Sequence, residues 1–221
     1  MTNSLEEILQ GPKTVFTLFG FPITESVVNT WIVMAVLIIL ALVLRRRLEL
    51  RPGKAQNIAE LLVDGFTGIV KSTMGEKNIG FMPYMATLFL LILFSNIIGI
   101  FGFRTPTSDI NVTLGYALMT FFSIHFFGVK AKGLGYLKGF FEPIFVIAPI
   151  NIIGELARPV SLSMRLFGNM LGGSVIMALI SGAVALFVPA VASIYFDLFS
   201  GILQSFIFTM LSMVFISLAK D

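Results

Sequence analysis

The chain has 221 residues, of which 57% are hydrophobic and 12% charged, and its mean hydropathy is +0.95. A soluble domain of this length carries roughly 25% charged residues, so a water-soluble globule is excluded and one membrane domain is expected. With no cysteine and a single histidine, His125, the chain can build neither a disulfide framework nor a thiolate or zinc site.

In chain order, Met1 to Glu25 is acidic and leads into an apolar run of spanning length, so it is expected to be retained and not cleaved as a signal peptide. A helix crossing the ~30 Å hydrocarbon core needs about 20 mostly apolar residues, and the gaps between charges mark five such segments. The first, 26–44, stops at Arg45, Arg46 and Arg47. Residues 55–75 then place Ile58, Leu61, Leu62, Phe66, Ile69 and Val70 at helical spacing, with Glu60, Asp64 and Lys71 elsewhere around the wheel. That pattern predicts an amphipathic helix lying on the membrane surface or packed on a soluble partner. The second span, 79–103, lies between Lys77 and Arg104, with Pro83 near its start, where a missing N–H costs least. The third, 110–129, ends just before Lys130 and Lys132. The fourth and fifth fill 143–219, interrupted only by Glu155, Arg158, Arg165 and Asp197.

The expected fold is therefore all-α: a polytopic membrane protein with five transmembrane helices and one amphipathic surface helix, the last two spans forming a long tilted hairpin. From Pro143 to about Ser181 no strong stop is read, and at 1.5 Å per residue that is roughly 57 Å of helix. An upright span has no room for it. Either this segment inclines steeply, held by other helices, or it is two helices joined near Gly168, Gly172 and Gly173.

Lys and Arg divide unevenly between the two sides. Arg45, Arg46, Arg47, Arg51, Lys54, Lys71, Lys77, Lys130, Lys132, Lys138 and Lys220 share one side, leaving Lys13 and Arg104 on the other. Retention of positive loops in the cytoplasm places the N-terminus outside and the C-terminus inside.

Arg165 sits within VSLSMRLFGNMLGG, with apolar and small residues on both sides. Insertion scales set the cost of an arginine at the bilayer centre at about 2.5–3.5 kcal/mol, and simulations at 10–17. Something must offset it. Guanidinium stays protonated, so Arg165 cannot relay protons; it can attract, displace or block a neighbour. Two readings stand: an internal ion pair with Glu155 or Asp197, or a carboxylate on another subunit. Glu155 is about 15 Å away along the same helix and is a poor direct mate, whereas Asp197 lies on the next helix.

The polar neighbours favour the second reading. Asn169, at i+4, shares the face of Arg165; Arg158, at i−7, lies on it about 10 Å nearer the cytoplasm. Gln204 and Asp197 are also seven apart, and if Gln204 is level with Arg165, Asp197 lies near Gly172 to Ser174. Polar residues then lead both ways from the arginine, as along an ion pathway. The glycines allow close helix approach, which serves ordinary packing and equally a sliding neighbour.

PVSLSMRLFGNMLGG (159–173), LQSFIFTMLSMVFISLA (203–219), PTSDINVT (106–113) and HFFGVKAKGLGYLK (125–138) together resemble the a-subunit family of the membrane sector of bacterial F-type ATP synthases. The resemblance covers nearly the whole chain. It implies a non-catalytic stator subunit, without cofactor, that offers two ion half-channels to a rotating ring of c subunits and couples H⁺ or Na⁺ flow to ATP synthesis. It also implies a plasma-membrane location, with the b subunits of the peripheral stalk, the rest of the complex and lipid as partners, and no nucleic acid. Arg165 would meet the ring carboxylate, with Asn169 and Gln204 as its polar neighbours. Glu155 and Arg158 would lie near the cytoplasmic half-channel, and Asp109 and Asn111 at the outer mouth. Ser174 stands where some relatives carry glutamate and Asp197 where some carry histidine, which points to Asp197 as the ionisable group of the outer half-channel. The rival expectation is a self-contained secondary transporter; such proteins show internal repeats, and none is visible here.

Overall fold

A computed structural model describes residues 11–18, 20–46, 53–133, 135–136, 148–183 and 192–220. β-Branched and aromatic residues on either side of Gly20 form a short antiparallel hairpin, β1 (Thr14–Leu18) and β2 (Phe21–Thr24). This hairpin is the one described departure from an all-helical chain, and it seeds no sheet core. Among the described residues six α-helices follow: α1 (Glu25–Arg46), α2 (Lys54–Met74), α3 (Met82–Ile97), α4 (Ile110–Lys132), α5 (Ala148–Ala183) and α6 (Ser200–Lys220). All but α2 belong to segments long and apolar enough to cross a membrane.

Local chemistry sets several helix ends. Pro83 occupies the first turn of α3, where no N–H is needed. Asp109 caps α4, its Oδ1 accepting from the backbone N–H of Asn111 at 3.0 Å. Gly133 ends α4 at φ +60°, a conformation that L side chains rarely adopt.

α5 settles the choice left open by the sequence. It is one continuous helix of 36 residues, about 54 Å long, running through Pro159 and all three glycines. Pro159 withholds the N–H that the carbonyl of Glu155 would receive, a gap that membrane helices tolerate when neighbouring groups serve the freed carbonyl.

α4 packs on α5 and α6, and α3 on α6, while α1 lies at the edge against α3. Two apolar clusters join these helices. Leu88, Ile92, Tyr116, Ala117, Leu162, Leu166 and Phe208 form the first. The second lies toward the C-terminal end of α6, where α2 contributes Val70 and Met74 beside Met85, Ile124, Met213 and Ile216. The amphipathic helix is thus divided along its length. Its second half belongs to the protein's own core, and its first half leaves Ile58, Leu61, Leu62 and Val63 exposed.

A buried polar buckle fixes the start of α6. Asn96 is fully buried; its Nδ2 donates to the Gly201 carbonyl and the Ser205 hydroxyl, both at 3.1 Å, and its Oδ1 accepts from the Thr107 hydroxyl at 2.7 Å. An added Cβ on Gly201 would lie 3.0 Å from the Asn96 Cβ, so the two backbones meet closely. Replacing Asn96 by leucine is expected to lower stability by about 1–3 kcal/mol, because the buried Thr107 hydroxyl loses its partner. Thermal inactivation of the purified protein in detergent would report it; an unchanged midpoint would deny the buckle any structural weight.

Candidate functional site

α5 presents two faces. Leu162, Leu166 and Met170 turn into the bundle, while Leu156, Val160, Ser161, Met164, Arg165, Gly168 and Asn169 are exposed. Arg165 therefore stands on a mostly apolar outer face that also carries Ser161 and Asn169, away from its own core. Among the described residues, no hydrogen bond or ion pair reaches its guanidinium.

Glu155 is committed elsewhere. It is buried, and its Oε1 accepts from Arg158 Nη1 at 2.8 Å, one turn along the helix. The Arg158 guanidinium also lies 5.0 Å from the centre of the Phe215 ring, a cation–π contact that anchors it to α6. No Arg165–Glu155 pair is formed. The side chain of Asp197 lies outside the described residues.

The register between α5 and its return is set by two contacts. Ser200 Oγ donates to Asn169 Oδ1 at 3.1 Å, and an added Cβ on Gly173 would meet the Phe196 side chain at 3.6 Å. Both fit one antiparallel register, which places Gln204 level with Arg165 and position 197 level with Gly172. Position 197 falls within a π-helical turn, Ile194–Phe199, a distortion frequent at functional sites. Gln204 is buried, not exposed beside the arginine, and its Nε2 finds no partner.

Two clefts open at opposite ends of α5. One, of about 710 Å³, is lined by Lys132, Tyr136, Asn151, Gly154, Glu155 and Arg158, among others. The second, of about 480 Å³, is bordered by Glu25, Arg104, Ser108, Met170, Gly173 and Ser174, among others. Arg165 lies between them, about 10 Å along the helix from Arg158 and about 8 Å from Met170. Near the first cleft, Tyr136 Oη lies 2.9 Å from His125 Nδ1. Burial, with the negative charge of Glu155 added, pushes the Tyr136 hydroxyl above its ordinary pKa, while Arg158 opposes the shift. It stays protonated at neutral pH.

The structure thus gathers Glu155 and Arg158 at one cleft and places Ser174 at the other, its hydroxyl turned back to the Leu171 carbonyl at 2.8 Å. Asp109 and Asn111 are not among the residues bordering either cleft. Asp109 is buried, with Oδ1 bonded to the Asn111 backbone and side-chain amides and Oδ2 without a partner. The sequence pattern does not mark Ser200, Tyr136, Lys132 or Glu25 as site residues. Tyr136 lay within the quoted HFFGVKAKGLGYLK stretch, whereas nothing local marked Ser200 as the mate of Asn169.

The family described as ATP synthase A chain matches residues 27–217. ATP synthase subunit a, sodium ion specific, of Propionigenium modestum is 40% identical over 215 residues, covering 90% of this chain and 74% of the relative. ATP synthase subunit a of Trichlorobacter lovleyi is 39% identical over 197 residues, covering 87% and 85%. ATP synthase subunit a 2 of a Bradyrhizobium species is 37% identical over 199 residues, covering 89% of each.

Proposed function

The chain belongs to the ATP synthase A chain family, and from that premise we propose that its α5–α6 face meets a ring of c subunits, with Arg165 pairing in turn with each ring carboxylate. The chain is a multi-pass membrane protein and a stator component of the membrane sector. The observation that carries the proposal is an arginine exposed on a mostly apolar face, between two clefts that border its helix on either side of it. Facing lipid, that charge would cost at least about 2.5 kcal/mol; facing a carboxylate, the cost is offset.

The mechanism follows from that cost. A ring carboxylate crosses the lipid-facing arc neutralised by its bound cation, because a bare charge there is penalised. At Arg165 it becomes ionised and paired, and its cation leaves through one cleft. Past the arginine it reloads from the other. The clefts share no lining residue among those described, so cations cross by riding the ring, and Arg165 repels any that take the direct route. The membrane potential supplies about 2.3 kcal/mol per charge per 100 mV, which biases rotation.

Arg45, Lys54, Lys71, Lys77, Lys130, Lys132 and Lys220 set the Glu155–Arg158 cleft on the cytoplasmic side. The N-terminus lies outside, and the Ser174 cleft, level with Asp197, faces outward. Asp109 and Asn111 stand at the head of α4 on that outer side. The b subunits hold the chain still. The coupling ion, H⁺ or Na⁺, is selected at the ring carboxylate; the relative from Propionigenium modestum carries sodium specificity in its name. The chain itself catalyses no bond-making step.

The test uses the absence of native cysteine. A thiol introduced as Asn169→Cys is expected to form a disulfide with a thiol placed beside the ring carboxylate in the assembled complex. The purified chain alone, in vesicles, should move neither H⁺ nor Na⁺. Unaided transport by the chain, or the lack of any cross-link in an active complex, would overturn the proposal in favour of a self-contained transporter.

A further inference from the structure

Tyr136 is held by features that no ion-path role has so far used. An added Cβ on Gly128 would lie 2.6 Å from its Cε2 and 2.9 Å from its Cζ. The ring therefore occupies the space that any larger residue at 128 would fill. Its hydroxyl is tethered to His125 at 2.9 Å, and the His125 ring is in turn fixed edge-on by Phe121, with centroids 4.2 Å apart. The turn delivering Tyr136 is closed by the Gly133 N–H on the Val129 carbonyl at 2.7 Å and the Tyr136 N–H on the Gly133 carbonyl at 3.2 Å. The side chain so placed borders the same cleft as Glu155 and Arg158.

We propose that Tyr136 is a positioning residue of this cleft: seated on Gly128 and tethered to His125, it sets the aperture through which water and the coupling cation reach Glu155 and Arg158. The physical requirement is a mouth of constant width. A tyrosine suits it because the ring supplies a rigid wall at low entropic cost while the hydroxyl presents a polar edge to water. Gly128 is then a functional glycine, since it leaves room for a ring from another turn of chain. The significance of this aperture rests on the reading that the cleft carries ions. Its geometry does not.

The test therefore reads geometry. In the assembled complex, a single thiol introduced as Gly154→Cys borders the cleft, and its Cβ meets nothing within 4 Å. Its rate of modification by a charged, membrane-impermeant thiol reagent reports the aperture. Tyr136→Phe keeps the ring but loses the tether, and is expected to raise that rate about fivefold, the factor one hydrogen bond is worth. Tyr136→Ala and Gly128→Ala should raise it further and by similar factors. Together they should raise it no more than either alone, because both act by removing one ring from one seat. A thiol at the opposite cleft, Met177→Cys, should be unaffected by all of these variants. Unchanged modification at position 154 in both Tyr136→Phe and Tyr136→Ala, additive effects in the double variant, or an equal rise at position 177 would each overturn the proposal. Because no ion flux is measured, an altered aperture in a complex whose cleft proves not to carry ions would count against the functional reading alone.

Discussion

Replacing Arg165 by alanine is expected to reduce gradient-driven ATP synthesis by about 100-fold or more and to let cations leak across the membrane sector. The magnitude follows from what the guanidinium offsets. An ionised carboxylate at the bilayer centre is disfavoured by about 2.5–3.5 kcal/mol on insertion scales, and about 1.4 kcal/mol is tenfold in a rate. Without the arginine, each ring carboxylate holds its cation through the interface, and the step that needs the ionised form slows accordingly. The chain itself should fold as before, because Arg165 is exposed and makes no described contact that alanine would break. Arg165→Lys separates the two duties of the residue. It keeps the charge that repels a passing cation but loses the planar fork that grips a carboxylate, so the leak should stay low while synthesis remains impaired. Both quantities are measured in vesicles carrying the complex, with an imposed gradient for synthesis and passive flux for leak. Normal synthesis in Arg165→Ala would end the rotary account of this residue.

The sequence yields its spans readily because a membrane forbids charge along about 20 residues, and that constraint is visible without any tertiary information. The charge of Arg165 within an apolar run stands out for the same reason. The split of α2 is less visible: Ile58 and Val70 look alike on a helical wheel, yet one is exposed and the other reaches the core, where it packs with residues of α3 and α6. Asp109 shows a different limit. An aspartate ahead of an apolar run is a cap signal as much as a polar mouth residue, and the structure puts its Oδ1 on the Asn111 amides. Glu155 and Arg158, three apart, are spaced to form the bond they make on one helix face, a local signal that the pathway reading leaves unused. The meeting of Ser200 with Asn169, and of Tyr136 with Gly128, depends on how separate helices and turns register. No local pattern encodes that.

The three glycines after Arg165 permit a sharper test of what lies opposite, since they differ in surroundings despite their similar sequence context. An added Cβ at Gly173 meets Phe196, whereas at Gly168 it meets nothing within 4 Å. Gly168 also lies at i+3 from Arg165 on the exposed face. Within this chain alone, Gly168→Leu should therefore be harmless or stabilising by up to about 1 kcal/mol, the helix-propensity difference from glycine. Against a closely approaching ring, the same side chain would hold the helices apart, because close approach in membranes depends on small residues at the contact. Opposite signs are thus expected in two measurements: an equal or higher thermal midpoint for the purified chain, and coupled synthesis lowered by about tenfold or more, as separation weakens the Arg165–carboxylate pair. A purely structural glycine would lower the midpoint first. If Gly168→Leu left synthesis at the normal rate, no ring could be passing close to that face, and Arg165 would need some other partner.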